Sequence, residues 1–200
     1  SGNTLLGYLA GEDIASGGLN NTLIGHGSAK NISTGDNNVS IGIGTLAVTT
    51  VVDRVVAIGN YACGDGALTA GAGDGTGADE TTAIGFGALQ ALTSGSGNVA
   101  IGFQALDANQ TSDFNTAVGH QALSAVNGDG NAGNTAVGWQ AGLALTDGKE
   151  NTIIGYAALP EDDQSDGTTV IGYQALHEQN GGTGDSGVTA VGFRAGYGGS

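Results

Sequence analysis

Methionine is absent from this 200-residue sequence, and cysteine, proline and tryptophan occur once each, as Cys63, Pro160 and Trp139. A single cysteine excludes an intrachain disulfide and a thiolate metal cluster. Cys63 therefore reads as a small buried apolar filler. Basic residues are almost as scarce: 4 Lys and Arg stand against 19 Asp and Glu, a formal charge of −15. Lys30, Arg54, Lys149 and Arg194 are scattered singly, which disfavours nucleic acid as a partner because phosphate binding needs clustered cations. The same shortage disfavours attachment to an anionic membrane surface. No apolar run approaches the roughly 18 residues of a membrane-spanning helix, so no membrane insertion is expected. Neither a signal peptide nor an initiating methionine is visible, and the chain reads as a mature product or an excerpt of something longer.

Glycine, by contrast, supplies 40 residues, and hydrophobic residues make up 39% of the chain. That combination, with β-branched residues recurring regularly, points to a repeat fold and away from disorder. Nine-residue boxes recur at 3–11, 21–29, 38–46, 55–63, 81–89, 98–106, 115–123, 134–142, 151–159, 168–176 and 188–196. NTLLGYLAG opens the series and VTAVGFRAG closes it, with NVAIGFQAL, NTAVGHQAL and TTVIGYQAL between. The fifth place is glycine throughout: Gly7, Gly25, Gly42, Gly59, Gly85, Gly102, Gly119, Gly138, Gly155, Gly172 and Gly192. A glycine fixed at one place in every copy calls for positive φ or for close backbone approach. Consecutive glycines lie 17 to 20 residues apart, except for a step of 26 that accommodates an insertion at about 64–80. The whole chain reads as one array of a single structural unit.

Within each box the pattern is that of a strand. The second place is Thr or Val in every copy and the fourth is Ile, Leu or Val, so one face carries a β-branched column at the strand period of two. That column is expected to point inward. After the glycine comes a place holding Tyr8, Phe86, Phe103, Trp139, Tyr156, Tyr173 and Phe193, and two places later a small residue, usually Ala. A second short strand is expected there, with an aromatic ladder beside an alanine ladder. All the acidic residues fall between boxes, where turn chemistry such as Asp147-Gly148 also collects. The spacers are therefore expected to be solvated acidic turns, since burying an unpaired carboxylate is costly.

No single box can bury enough apolar area to fold alone, and Gly, Val, Thr and Asn at these densities penalise a helix. The expected fold is all-β, a parallel β-solenoid (β-roll) of about eleven coils of about 17 residues, roughly 50 Å long at about 4.8 Å per coil. One Ile, one Thr and a few Ala per coil make a thin core. The economical remedy is for several chains to share it, as an intertwined or side-by-side homotrimer or a filament.

The boxes NTAVGHQAL, NVAIGFQAL and TTVIGYQAL resemble the head repeats of trimeric autotransporter adhesins, and still more the tandem repeats of phage tail-fibre proteins and related bacterial surface proteins. The resemblance covers Asn3 to Gly196. It implies a homotrimeric left-handed parallel β-roll, extracellular, on a virion tail fibre or a bacterial cell surface. Its departures are coils longer than the adhesin norm and the replacement of the leading Asn by Val55, Thr81, Thr168 and Val188. The implied function is a structural and adhesive fibre shaft. The alternative is a receptor- or carbohydrate-binding head whose inserted loops touch a host glycan or receptor.

No catalytic set emerges. His26 and His120 occupy the aromatic place, His177 lies in a spacer and is expected to be solvated, and no nucleophile is paired with a base, so the expectation is a non-enzyme without cofactors. The Gly- and Asp-rich stretch 71–79 is the closest approach to a calcium site, and Glu161, Asp162, Asp163 and Asp166 form a second acidic group. Within the insertion, Asp65, Asp74, Asp79 and Glu80 are the candidate partner-contact residues. Threonine columns on flat solenoids organise water in ice-binding proteins, but an inward column does not suit that role. Asn20, Asn31, Asn38 and Asn109 each open an N-x-Ser/Thr triplet.

Overall fold

A computed structural model describes residues 2–14, 17–48, 51–64, 78–177 and 187–198. Each box contributes a three-residue strand at its second to fourth places: β1 (Thr4–Leu6), β2 (Thr22–Ile24), β3 (Val39–Ile41), β4 (Val56–Ile58), β5 (Thr82–Ile84), β6 (Val99–Ile101), β8 (Thr116–Val118), β10 (Thr135–Val137), β11 (Thr152–Ile154), β12 (Thr169–Ile171) and β13 (Thr189–Val191). These eleven pair in sequence order as one parallel sheet. The register is place on place, as in Thr116↔Thr135, Ala117↔Ala136 and Val118↔Val137. The fold is a parallel β-solenoid, and no helix occurs among the described residues. Two further strands, β7 (Ser112–Asp113) and β9 (Gly130–Asn131), pair with each other alone.

Both reasons for the fixed glycine hold. Gly119 has φ 144, and a Cβ built on it would stand 2.6 Å from the Gly138 carbonyl carbon in the next coil. The Gly119 N–H donates to the Ile101 carbonyl of the preceding coil at 2.8 Å. The sheet therefore continues through the glycine at a separation that no side chain permits.

The segment after the glycine is not a strand. It is a run of turns in which the seventh and ninth places take left-handed φ, as at Gln104 (φ 50) and Leu106 (φ 52), or Gln121 (φ 55) and Leu123 (φ 51). Each turn is tied to its neighbours: the Gln121 N–H donates to the Phe103 carbonyl at 2.8 Å, and the Leu123 N–H to the Ala141 carbonyl at 3.0 Å. With another left-handed residue just before each box, such as Asn37 (φ 60) and Phe114 (φ 58), the chain bends sharply enough to close a narrow coil.

The core reverses the inward expectation for the β-branched column. The third place is the one that points inside, with Leu23, Ala57, Ala83, Ala100, Ala117, Ala136, Ile153 and Val170 all 0% exposed, while the Thr and Ile places stay half-exposed. Around this column pack the alanines of the eighth place and leucines of the ninth, such as Ala105 and Leu106, with Ile32, Leu92, Val126 and Leu145 from the spacers. One cluster runs unbroken from Ala10 to Ala190. The reversal follows from room: so tight a coil admits mostly Ala at the third place. For Leu23 and Ile153 a glycine makes the room. A Cβ on Gly142, at the ninth place, would meet Ile153 Cδ1 at 2.9 Å, and one on Gly11 would meet Leu23 Cδ1 at 2.8 Å.

The leading Asn is buried and fully used. Asn151 Oδ1 accepts the Thr168 N–H at 2.8 Å, and its Nδ2 donates to the Ser165 carbonyl at 2.6 Å and to Asn134 Oδ1 at 3.0 Å. Asn134 repeats the arrangement with the Asn151 N–H at 3.0 Å and the Gly148 carbonyl at 2.7 Å. A buried amide is tolerated because both its oxygen and its nitrogen are hydrogen-bonded.

Gly119→Ala is expected to cost roughly 3 kcal/mol or more, since it combines positive-φ strain with a backbone clash. Gly167→Ala, at φ 61 with nothing within 4 Å of its Cβ position, should cost only about 1 kcal/mol. Denaturant unfolding of the two variants checks this, and equal losses would remove the coil-to-coil glycine contact from the account. Asn151→Ala orphans the Thr168 N–H and the Ser165 carbonyl and should cost about 2–4 kcal/mol in the same assay.

Candidate functional site

The second, fourth and sixth places of the boxes share the outer side of the sheet. The second-place column holds eight threonines and three valines, half-buried except in the first and last strands. The fourth-place column is aliphatic, with Ile101, Val137 and Ile154 each 37% exposed. Across the glycine column stands the sixth place, where seven rings stack in consecutive coils. Centroids are 5.6 Å apart for Phe86–Phe103, 4.9 Å for Phe103–His120, 6.3 Å for His120–Trp139, 4.5 Å for Trp139–Tyr156, 5.1 Å for Tyr156–Tyr173 and 5.4 Å for Tyr173–Phe193. Interplanar angles there run from 8° to 25°, so each inner ring covers the faces of its neighbours and offers the outside its edge. Beside the rings the glutamines of the seventh place form their own column, with Gln140 Nε2 donating to Gln121 Oε1 at 3.0 Å. Arg194 ends that column by donating to Gln174 Oε1 at 3.0 Å while its guanidinium lies over Tyr197, 4.6 Å from the ring centroid.

The spacer edge departs from the expected solvated turn. Aspartates at the second position before a box hold the preceding coil: Asp53 Oδ1 accepts the Asp36 N–H at 2.8 Å, Asp79 Oδ1 the Asp53 N–H at 2.8 Å, and Asp166 Oδ1 the Lys149 N–H at 2.7 Å. Asp79 and Asp162 are buried, at 1% and 2% exposure. Burial pushes the Asp79 carboxyl above the usual carboxylate range; the Asp53 N–H and the nearby Arg54 oppose that, while Asp53 and Glu80 add to it. Among the described residues, Asp79 Oδ2 has no hydrogen-bond partner. Glu80 is exposed and lies 3.1 Å from Arg54 Nε. Of the four candidate contact residues in the insertion, Asp65 and Asp74 lie outside the described residues, as does the stretch 71–77.

The other candidates resolve one by one. Asp162 Oδ1 accepts the Gln164 and Ser165 N–H groups at 3.0 Å each, so in the second acidic group its carboxylate is committed to its own turn. Among the described residues, no group of three or more His, Cys, Asp or Glu side chains is placed to hold a metal ion. His26 and His120 join the ring columns, with Tyr8–His26 at 5.4 Å. His177 is not simply solvated: it stacks on Tyr197 at 5.4 Å, and its Nδ1 is buried. Burial holds the Cys63 thiol protonated, pushed up to about 12, so it offers no thiolate nucleophile near neutral pH. Asn38 and Asn109 are 0% exposed and closed to glycan attachment in the folded chain. No helix long and apolar enough to cross a membrane occurs among the described residues.

No protein-family model, curated protein or solved structure matches this chain.

A carboxyl raised on folding contributes stability that is full below the ordinary Asp value and is lost as pH climbs through the raised one. Asp79→Asn keeps the acceptor for the Asp53 N–H and cannot ionise. Wild type should therefore lose stability relative to this variant as pH rises from about 3 to about 8. Thermal melts of both across that range check the sign, and a difference that does not move with pH would refute it.

Proposed function

We propose that this chain is a structural, non-catalytic shaft segment of an extracellular fibre, a phage tail fibre or a bacterial surface appendage, that self-associates through its outer sheet face. The observation that carries the reading is that face itself, where an aliphatic and an aromatic column stand half-exposed through the array. Eleven coils at about 4.8 Å give about 50 Å of length, and places two to six at about 3.3 Å per residue give about 13 Å of width. The resulting face of roughly 650 Å², threonine column included, approaches the ~800 Å² each partner gives to a standard interface.

A second copy of the same chain is the partner that fits. Parallel copies around one axis set like columns level with each other, so aliphatic meets aliphatic and ring edge meets ring edge. Three copies is the number the resemblance implies. In that arrangement the thin core is supplemented from outside, the spacers stay in solvent, and the net charge of −15 keeps separate shafts apart. Direct adhesion to a host, where it occurs, falls to residues away from the shared face.

Sedimentation equilibrium should give three times the chain mass, and transverse views by electron microscopy should show threefold symmetry. Ile154→Asp, on the outer face, is expected to yield a folded monomer with unchanged β-sheet circular dichroism. A wild-type chain that is monomeric at all concentrations would sink the proposal.

A further inference from the structure

We infer that Phe114 and the bend around it form a subsite for the apolar face of a neutral sugar. This is a binding function at the edge of the rod, independent of the self-association proposed above. The residue just before each box lies in the left-handed region. Glycine occupies it in five coils, at Gly2, Gly97, Gly133, Gly167 and Gly187, and asparagine at Asn20 and Asn37, the residue types that accept this conformation at least cost. Arg54, Glu80, Phe114 and Glu150 are the larger residues there, and Phe114, at φ 58, is the one apolar side chain among them. The ninth-place leucines are also left-handed, but Leu106 and Leu123 are 0% exposed and burial offsets the strain. Phe114 is 56% exposed. It combines left-handed backbone with a largely exposed apolar ring, and backbone outliers concentrate at functional positions.

The surroundings give the ring a clearing. Its column neighbours are Gly97 in the coil before and Gly133 in the coil after. Phe114 leans over Gly97, with Cδ1 and Cε1 2.7 and 2.9 Å from the position a Cβ there would take, while nothing lies within 4 Å of the corresponding position at Gly133. Beyond the two glycines stand Glu80 and Glu150, each about 10 Å along the axis at about 4.8 Å per coil. The inner rings of the sixth-place ladder have their faces covered by each other, whereas no other ring lies against Phe114. The ladder therefore cannot stack on a sugar along its length, and Phe114 can.

The same edge carries the only lengthened spacer that is described throughout. Residues 124–133 number ten where 107–114 number eight, and the addition builds β9, which pairs with β7 immediately before Phe114. Insertions in a repeat array map to loops on one face, often the binding face. The electron-rich face of the ring attracts the electropositive C–H groups of a pyranose. Next to it in the chain, the half-exposed Asp113, held by the Ser96 N–H at 2.7 Å, offers a hydrogen-bonding group for the hydroxyl rim, and the exposed Glu150 stands farther along the same edge. Glu80 pairs with Arg54 at 3.1 Å, while Asp113 and Glu150 keep this edge acidic. A neutral ligand suits this edge better than an anionic glycan, which the net charge of −15 also opposes.

Saturation-transfer difference NMR with maltohexaose, cellohexaose and N-acetylchitohexaose as separate probes tests the inference. At least one should show transfer to its ring C–H protons. Phe114→Ala should weaken that probe about tenfold, equivalent to about 1.4 kcal/mol, and Phe114→Tyr should retain it. Phe114→Asn should melt no lower than wild type, because asparagine suits the bend. Three results would overturn the proposal: no transfer to any of the three hexasaccharides, transfer indifferent to Phe114→Ala, or a clear loss of stability in Phe114→Asn that makes the ring structural. Capture of a hexa-arginine peptide lost in Phe114→Ala, with no sugar signal, would reassign the ring to cation recognition. Sedimentation of the same samples keeps the result separate from the shaft proposal, which stands or falls on mass alone.

Discussion

Consecutive coils approach glycine backbone to glycine backbone at a separation that leaves no room for a Cβ, and the rest of the structure is arranged around that approach. It holds the turns after each strand at the separation of the sheet, so every place in one coil lies over the same place in the next. Each column must then tolerate its own company. Asparagine does so because its amide carries both a donor and an acceptor: Asn98, Asn115, Asn134 and Asn151 link coil to coil by Oδ1 to the next backbone N–H. Rings do so by stacking. Carboxylates do so least well, and the aspartates at Asp36, Asp53 and Asp79 are reconciled by spending an oxygen on the neighbouring backbone. Opposite charges in adjacent coils serve the same end, as in Lys30 with Glu12 at 3.3 Å.

Closing a coil in about 17 residues requires left-handed residues at the bends, and the sequence spreads that strain unequally. Where the bend residue can be glycine or asparagine the cost is small. Where it is the ninth-place leucine, as at Leu46, Leu89 and Leu159, the side chain is 0% exposed, and burying it is worth about 1.5–3 kcal/mol, comparable to the strain of about 1–3 kcal/mol. The trade between Gly142 and Ile153, or Gly11 and Leu23, shows the same tightness from within: those long third-place side chains lie where a Cβ at the ninth place of the preceding coil would stand.

This explains which parts were legible in the sequence. Strands at the second to fourth places, the necessity of the fifth-place glycine and the stacking of rings followed from periodicity, because each depends on columns alone. Which face lies inside did not follow. A period of two says that Thr116 and Val118 face away from Ala117, and the usual preference of large apolar residues for the interior chose wrongly. In a wide sheet that preference governs; here the bends bring the opposite wall too near, and alanine is what fits. The second strand failed for a related reason, since alternation after the glycine resembles a strand while the left-handed residues at Gln121 and Leu123 turn the chain. Asp162 was read as solvated because it is acidic, yet it is buried and its carboxylate accepts the N–H groups of Gln164 and Ser165.

The reversed core has a consequence for how the molecule meets others. With alanine at most third places and isoleucine, valine and aromatics on the outer face, a lone chain leaves that face half-exposed along the array. Lengthening the array does not help, because each added coil brings as much exposed face as interior. The exposure is removed only by a surface running parallel to the axis with the same coil spacing, and a copy of the chain in register is such a surface. In the proposed assembly that face is committed along its length, and the inner ring faces already cover one another. Recognition of anything else must come from columns at the bends, where the repeat can be altered one coil at a time without disturbing the glycine contact. Phe114 between Gly97 and Gly133 is such an alteration, since glycine on either side leaves the neighbouring coils indifferent to what stands between them.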